Sequence, residues 1–244
     1  MTNFVILAAQ RTGSNLLCTL LNSHPEILCH HEIFNPRGPI YAVTHREGTL
    51  DFGSIEERDR DPFSFLDRVW RTRCGHSCVG FKMTQDQAEP VLQHVLARPS
   101  IKKIVLRRRN KIKTYVSQKI SQRLDEWEVY DSQELAPRRP RVNVDVDQLR
   151  EQIASNERFY SGIGEALKPW PDLYVEIVYE SLSSRSLHQR LLDFLAVAAR
   201  DVELKPASIK QNSSNLEDLV SNYAELAGAL KGSELEEELH ARND

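Results

Sequence analysis

Residues 4–24 read FVILAAQRTGSNLLCTLLNSH. Phe4 to Ala9 is a short continuous apolar run, and Gln10 to Asn15 is a polar loop. Leu16, Leu17, Leu20 and Leu21 then recur at helical spacing until His24-Pro25 interrupts them. The pattern predicts a buried strand, a tight turn and a helix. Such a turn leaves backbone N–H groups without intrahelical partners, at the helix end whose dipole favours negative charge. Gly13 lets the chain approach a ligand closely, Ser14 adds a hydroxyl donor, and Arg11 stands just ahead as a cation. The expected ligand is a phosphate or a chemically similar anion; the competing reading is a turn that only caps its own helix.

Comparison with the Walker A loop, G-x-x-x-x-G-K-S/T, sharpens this. Ala8 and Gly13 keep the five-residue step, but Ser14 stands where the Lys would be and Asn15 where the Mg²⁺-binding hydroxyl would be. The loop is suited to an anionic group without the usual equipment for a magnesium nucleotide.

At 244 residues the chain has room for one sizeable α/β domain, or at most two small ones. A balance of 32 Lys and Arg against 35 Asp and Glu leaves a net charge of −3, which gives no basic field for nucleic acid. No apolar run approaches the roughly 20 residues of a membrane span. The N-terminal run is too short for a signal peptide and meets Arg11. Taken as complete, the chain is expected to be cytoplasmic. Cys74 and Cys78 bracket His76, but no second pair of ligands accompanies them, so the four cysteines read as reduced thiols and no metal is expected.

Further strands are expected at Cys78 to Met83, Ile101 to Leu106 and Leu173 to Tyr179, with a short apolar step at Ile27 to Cys29. Helical periodicity marks Pro62 to Trp70, the segment from Pro90, the one through Ile112 to Ile120, Val146 to Leu167 behind an Asp145 cap, and the one carrying Leu187 to Leu195. Residues 37–61 read as an irregular excursion and 123–144 as a long loop. Ser214 and Glu217 suggest a capping box for a last helix. The expected domain is residues 1–231, with an acidic tail, 232–244, that frays. Strands separated by helices imply a parallel sheet covered on both faces, with ligands beyond the carboxyl ends of the strands. The Arg11 loop and Arg107-Arg108-Arg109 both fall there, so two anion sites would share one nucleotide phosphorylated at both ends.

Here the sequence resembles a known family. QRTGSNLL is similar to the phosphosulfate loop of sulfotransferases that use 3′-phosphoadenosine-5′-phosphosulfate (PAPS), and IVLRRRNKIKTYVS to their 3′-phosphate motif, an Arg followed eight residues later by a Ser. VYESL, Val178 to Leu182, resembles a strand-end motif of the same family, nearest to its bacterial carbohydrate-type members. Arg11 stands where many members have Lys, and Lys111 where Pro is frequent. The resemblance implies a P-loop-like nucleotide-binding α/β fold and sulfuryl transfer from PAPS to the hydroxyl of a small molecule or glycan, a carbohydrate or glycolipid. It implies that Arg11, Thr12, Gly13, Ser14 and Asn15 hold the 5′-phosphosulfate and that Arg109 and Ser117 hold the 3′-phosphate. Lys210, Gln211 and Asn212 would complete the pocket.

For the catalytic base the expectation is Glu32, in His31-Glu32-Ile33-Phe34, with its pKa raised by Phe34; His31 and His30 are rivals. Arg11 would face the leaving group, and Lys82 either touches the sulfuryl group or is solvated. Trp127 and Tyr130 would stack on a sugar or pack as a lid. An ATP-dependent phosphotransferase and a catalytically silent nucleotide-binding module are the alternatives.

Overall fold

Strands β1 (Thr2–Ala8), β2 (Ile27–His30), β3 (Cys78–Thr84), β4 (Ile101–Arg107) and β5 (Tyr174–Val178) form one parallel sheet in the order β2-β3-β1-β4-β5 in the computed structural model. The structure describes residues 1–46, 50, 52–131, 139–197, 202–209, 211–213 and 215–241. The central strand is the apolar run that opens the sequence, and alternation sends its side chains to opposite faces. Val5 and Leu7 pack with Phe65, Leu66 and Val69 of α3 (Pro62–Arg71), Val91 and Val95 of α4 (Glu89–Ala97), and Ile163 and Leu167 of α6 (Val146–Leu167). Phe4, Ile6 and Ala8 pack with Leu17, Leu20 and Leu21 of α1 (Ser14–Asn22) and with Leu187, Leu191 and Leu195 of α7 (Arg185–Leu195).

A third cluster lies beside the sheet. It joins Ile112, Tyr115 and Val116 of α5 (Lys111–Leu124) to Leu226 and Leu230 of α8 (Tyr223–Leu230) and Leu239 of α9 (Glu236–His240). Because β3 lies on one side of β1 and β4 on the other, the chain reverses its winding at β1. A crevice opens there beyond the strand ends. Tyr160 of α6 ties its two banks together: Ala9 N–H donates to the Tyr160 hydroxyl at 2.8 Å, and that hydroxyl donates to Leu106 C=O at 2.7 Å.

Four segments differ from the sequence reading. The excursion at 37–61 contains α2 (Ile55–Arg60), which Ser54 and Glu57 close with a capping box. The loop expected from residue 123 starts only after Leu124, and Val142 pairs with Val220. Ser214 lies outside the described residues; Asn215 caps the 3₁₀ turn Leu216–Asp218, and the helix beyond starts at Tyr223. The acidic tail, expected to fray, carries α9 with Leu239 buried, and Glu238 accepts from the Lys111 and Ile112 N–H groups at the start of α5. No helix among the described residues is long and apolar enough to cross a membrane.

Candidate active site

Beyond the ends of β1, β3 and β4 lies a cavity of about 1120 Å³. That exceeds the roughly 300–1,000 Å³ of an ordinary small-molecule site and leaves room for two reactants. Its floor is the turn into α1, with Arg11, Gly13, Ser14 and Asn15 along the lining. Gly13 has φ +93°, and a Cβ there would drive into the Tyr179 ring, so both backbone and space demand glycine. Thr12 turns inward and donates to Ala9 C=O at 2.8 Å, leaving its backbone as its contribution to the loop.

The Arg11 guanidinium crosses to the other bank. Nε donates to Ser117 Oγ at 3.0 Å, Nη1 to Trp127 C=O at 2.7 Å and Nη2 to Gln211 Oε1 at 2.6 Å. Burial, followed by the charges of Arg108 and Arg139, presses its pKa down to about 10, so it remains a cation at neutral pH. Asn212 Nδ2 donates to the same Ser117 Oγ at 3.2 Å. Arg11, Ser117, Gln211 and Asn212 therefore meet at one point, while Lys210 lies outside the described residues.

The second basic pocket is built differently from the expectation. Arg108, not Arg109, enters the lining. Its guanidinium stacks 4.5 Å over the Tyr179 ring, and Nη1 reaches Arg11 C=O at 3.5 Å. Arg109 is exposed because Glu180 Oε1 accepts both the Arg109 and Asn110 N–H groups, at 2.9 and 3.3 Å, and so fixes the turn into α5. The VYESL motif thus sets this corner through Tyr179 and Glu180. Lys113, one helical turn before Ser117, also lines the cavity.

At the opposite wall Glu32 follows β2. Its Oε1 pairs with Lys82 Nζ at 2.8 Å, and its Oε2 accepts from Asn35 Nδ2 at 2.8 Å and Gln87 Nε2 at 2.7 Å. Lys82 also donates to Asn15 Oδ1, which joins Glu32 to the α1 turn through one ammonium. Burial pushes the Glu32 pKa up, but Lys82 and the Asn35 and Gln87 hydrogen bonds outweigh it and hold it below the usual carboxylate range. The expected upward shift is therefore reversed. Arg58 of α2 is buried and donates to Ile33 C=O at 3.2 Å and Asn35 C=O at 2.8 Å, so the excursion positions this loop.

The histidines sit behind the wall, outside the cavity lining. His31 is fully buried, 3.3 Å from Glu128, and burial lowers its pKa against the pull of that carboxylate. His30 is pushed down to about 3 by burial and the neighbouring histidines, and its Nδ1 accepts from Ala42 N–H at 3.2 Å. Both are neutral at pH 7. Trp127 and Tyr130 do line the cavity, but Arg46 covers the Tyr130 ring at 5.3 Å and donates to Glu128 at 2.6 Å. The sequence marks Arg108 only as part of the run Arg107-Arg108-Arg109, and Lys113, Arg46, Glu128 and Gln87 escape the sequence reading because none stands at a position that the motif spacing singles out.

Fold and cavity together define an α/β protein with a five-stranded parallel sheet and an anion-binding turn that opens into a two-reactant cavity. No family model matches the chain. Its curated relatives include nodulation protein H of Rhizobium tropici, 25% identical over 228 residues that cover 91% of this chain and 87% of the relative. Nodulation protein H of Rhizobium meliloti (strain 1021) is 25% identical over 245 residues, covering 91% and 89%. Among solved structures, a sulfotransferase from Alicyclobacillus acidocaldarius aligns over 98% of this chain and 96% of its own, with 18% identity and a TM-score of 0.46.

Proposed function

We propose that the chain transfers a sulfuryl group from PAPS to a hydroxyl of a carbohydrate or glycolipid acceptor, with Glu32 as general base. One observation carries this reading: Lys82 touches Asn15 of the anion-binding turn and Glu32 of the opposite wall at once. A donor held on the turn and an acceptor resting on Glu32 would meet at that ammonium.

The donor's 5′ end belongs at Gly13, Ser14, Asn15 and the backbone of Thr12, with the Arg11 guanidinium, which rests on Ser117 here, turning to it when the donor binds. Its 3′-phosphate belongs near Ser117 and Asn212, with Arg108 supplying the fork that the sequence motif places on Arg109. A carboxylate has about four acceptor sites, and the three bonds to Glu32 leave one for the acceptor hydroxyl. In the transfer, the acceptor oxygen forms a bond to sulfur as the bond from sulfur to the phosphate oxygen breaks. Glu32 takes the hydroxyl proton, and Lys82 and Arg11 stabilise charge growing on the leaving oxygen. Positioning and electrostatics supply most of the rate, as in phosphoryl transfer.

Incubation with PAPS and candidate glycans, read by mass spectrometry, is expected to give acceptors heavier by one SO₃. Glu32→Gln should keep affinity for 3′-phosphoadenosine 5′-phosphate (PAP) while turnover falls by about 10²–10⁴-fold. Undiminished turnover in that variant would remove Glu32 from the role.

A further inference from the structure

Gln87 is buried beside Glu32, with 5% of its surface exposed, and its carboxamide is fixed at both ends. Thr84 N–H donates to Gln87 Oε1 at 3.2 Å, so the amide nitrogen must face the other way, where Nε2 donates to Glu32 Oε2 at 2.7 Å. Asn35 Nδ2 donates to the same Oε2 at 2.8 Å, and Asn35 Oδ1 is taken by the Arg37 N–H at 2.9 Å. Two donors fill the acceptor positions of Oε2. Among the described residues Oε1 has Lys82 Nζ alone, at 2.8 Å, and keeps one position open.

The turn that carries Gln87 is held in an unusual shape. Its two neighbours, Asp86 and Ala88, have φ +66° and +37°. Asp enters that left-handed region readily, whereas an alanine meets its own Cβ there. Ala88 C=O nonetheless accepts the Val91 and Leu92 N–H groups that open α4. Backbone kept in such regions clusters where surrounding structure aims a functional group, and the group aimed here is the Gln87 amide.

From these directions we infer that Gln87 is a positioning residue for the transfer: with Asn35 it occupies Glu32 Oε2, so that Oε1, the oxygen beside Lys82, receives the acceptor's proton. The inference rests on Glu32 as general base and adds which carboxylate oxygen reacts and what turns it toward the acceptor. As the acceptor oxygen bonds to sulfur, its O–H bond breaks and an H–Oε1 bond forms. The bond from sulfur to the phosphate oxygen breaks at the same time, and its electron pair stays on the phosphate. Lys82 bridges Oε1 to Asn15, so the open oxygen is the one tied to the anion-binding turn. A carboxylate free to rotate would present this oxygen only part of the time, which lowers the rate without weakening donor binding.

The test measures PAP release from PAPS, with water and with the glycans above as acceptors, beside PAP affinity by calorimetry. Gln87→Met fills nearly the same volume without a donor. It should lower kcat about ten-fold and leave KM for PAPS and PAP affinity within about two-fold. Gln87→Asn keeps the amide but draws it back by one methylene, and should lower kcat about three-fold. Glu32→Gln has no carboxylate to orient, so adding either change to it should alter its residual rate by less than about two-fold. A packing role would instead lower the rate equally in both backgrounds. That equality, full kcat in both Gln87 variants, or loss of PAP binding in both overturns the positioning role while Glu32 stands as base. Undiminished turnover in Glu32→Gln, or no PAP release from the unsubstituted chain, brings down the base reading and this role with it.

Discussion

Glu32 is pulled in two directions. Burial favours its neutral form, and Lys82, Asn35 and Gln87 favour its charged one and win. Its folded pKa is therefore below the unfolded value, so the stability it contributes is present above that unfolded value. This contribution is lost as pH falls through the folded pKa. The same sign governs catalysis: with Glu32 as base, kcat/KM should hold through neutral pH and fall only on the acid side of the ordinary carboxylate range. Lys82→Met removes the largest downward pull and leaves the burial, so the acid limb should move to higher pH. A kcat/KM profile whose acid limb stays in place after that change would show that another group titrates. The arginines supply a second residue-scale prediction. Arg108→Ala should weaken PAP binding by about 10–100-fold, the worth of hydrogen bonds to a charged group, whereas Arg109→Ala should alter it less than two-fold by calorimetry. The reverse order would restore the assignment drawn from spacing. Spacing along a chain counts residues and says nothing of direction. At the end of β4 the direction is set by Glu180, 71 residues away, which is why the Arg11 turn was legible and the choice between Arg108 and Arg109 was not.

Elements with a strong apolar period were readable, and elements held by a few polar contacts were not. The runs of β1, β3 and β4 announce buried parallel strands, and Asp145 marks the start of α6, where it accepts the Gln148 N–H. By contrast α2 is IEERDR, with one aliphatic residue, and its reason to exist is tertiary: Arg58 reaches the carbonyls that carry the Glu32 loop. The α9 helix, EEELH, is equally opaque, since an acidic stretch with a single Leu reads as solvated chain. Its place in the fold rests on Leu239 in the third cluster and on Glu238 at the start of α5, where a carboxylate meets the favourable end of the helix dipole. We therefore expect Leu239→Ala to cost about 2 kcal/mol and to lower the melting midpoint by about 4–8 °C. A truly frayed tail would leave the midpoint where it was. Because α5 carries Lys113 and Ser117, loosening its first turn should weaken PAP binding as well.

For the molecule as a whole the question is which nucleotide the crevice selects. Arg11 of the turn and Arg108 and Lys113 of the far bank all line one cavity beyond the end of β1, the Arg11 guanidinium reaching across to Ser117. An adenosine phosphorylated at both the 5′ and 3′ positions would engage both groups. Mg-ATP concentrates its charge at one end and asks for a Lys and a hydroxyl that this turn replaces with Ser14 and Asn15. A ligand that binds only the folded state raises its stability by about 2.7 kcal/mol at a hundred times Kd, which in a chain of this size raises the midpoint by about 5–10 °C. PAP should give that shift at micromolar concentration, adenosine 5′-phosphate a much smaller one, and Mg-ATP none that EDTA abolishes. Arg108→Ala should shrink the difference between PAP and adenosine 5′-phosphate, because that difference measures the pocket for the 3′-phosphate. A shift with Mg-ATP that PAP cannot match would turn the reading toward phosphoryl transfer and remove the need for a 3′-phosphate pocket.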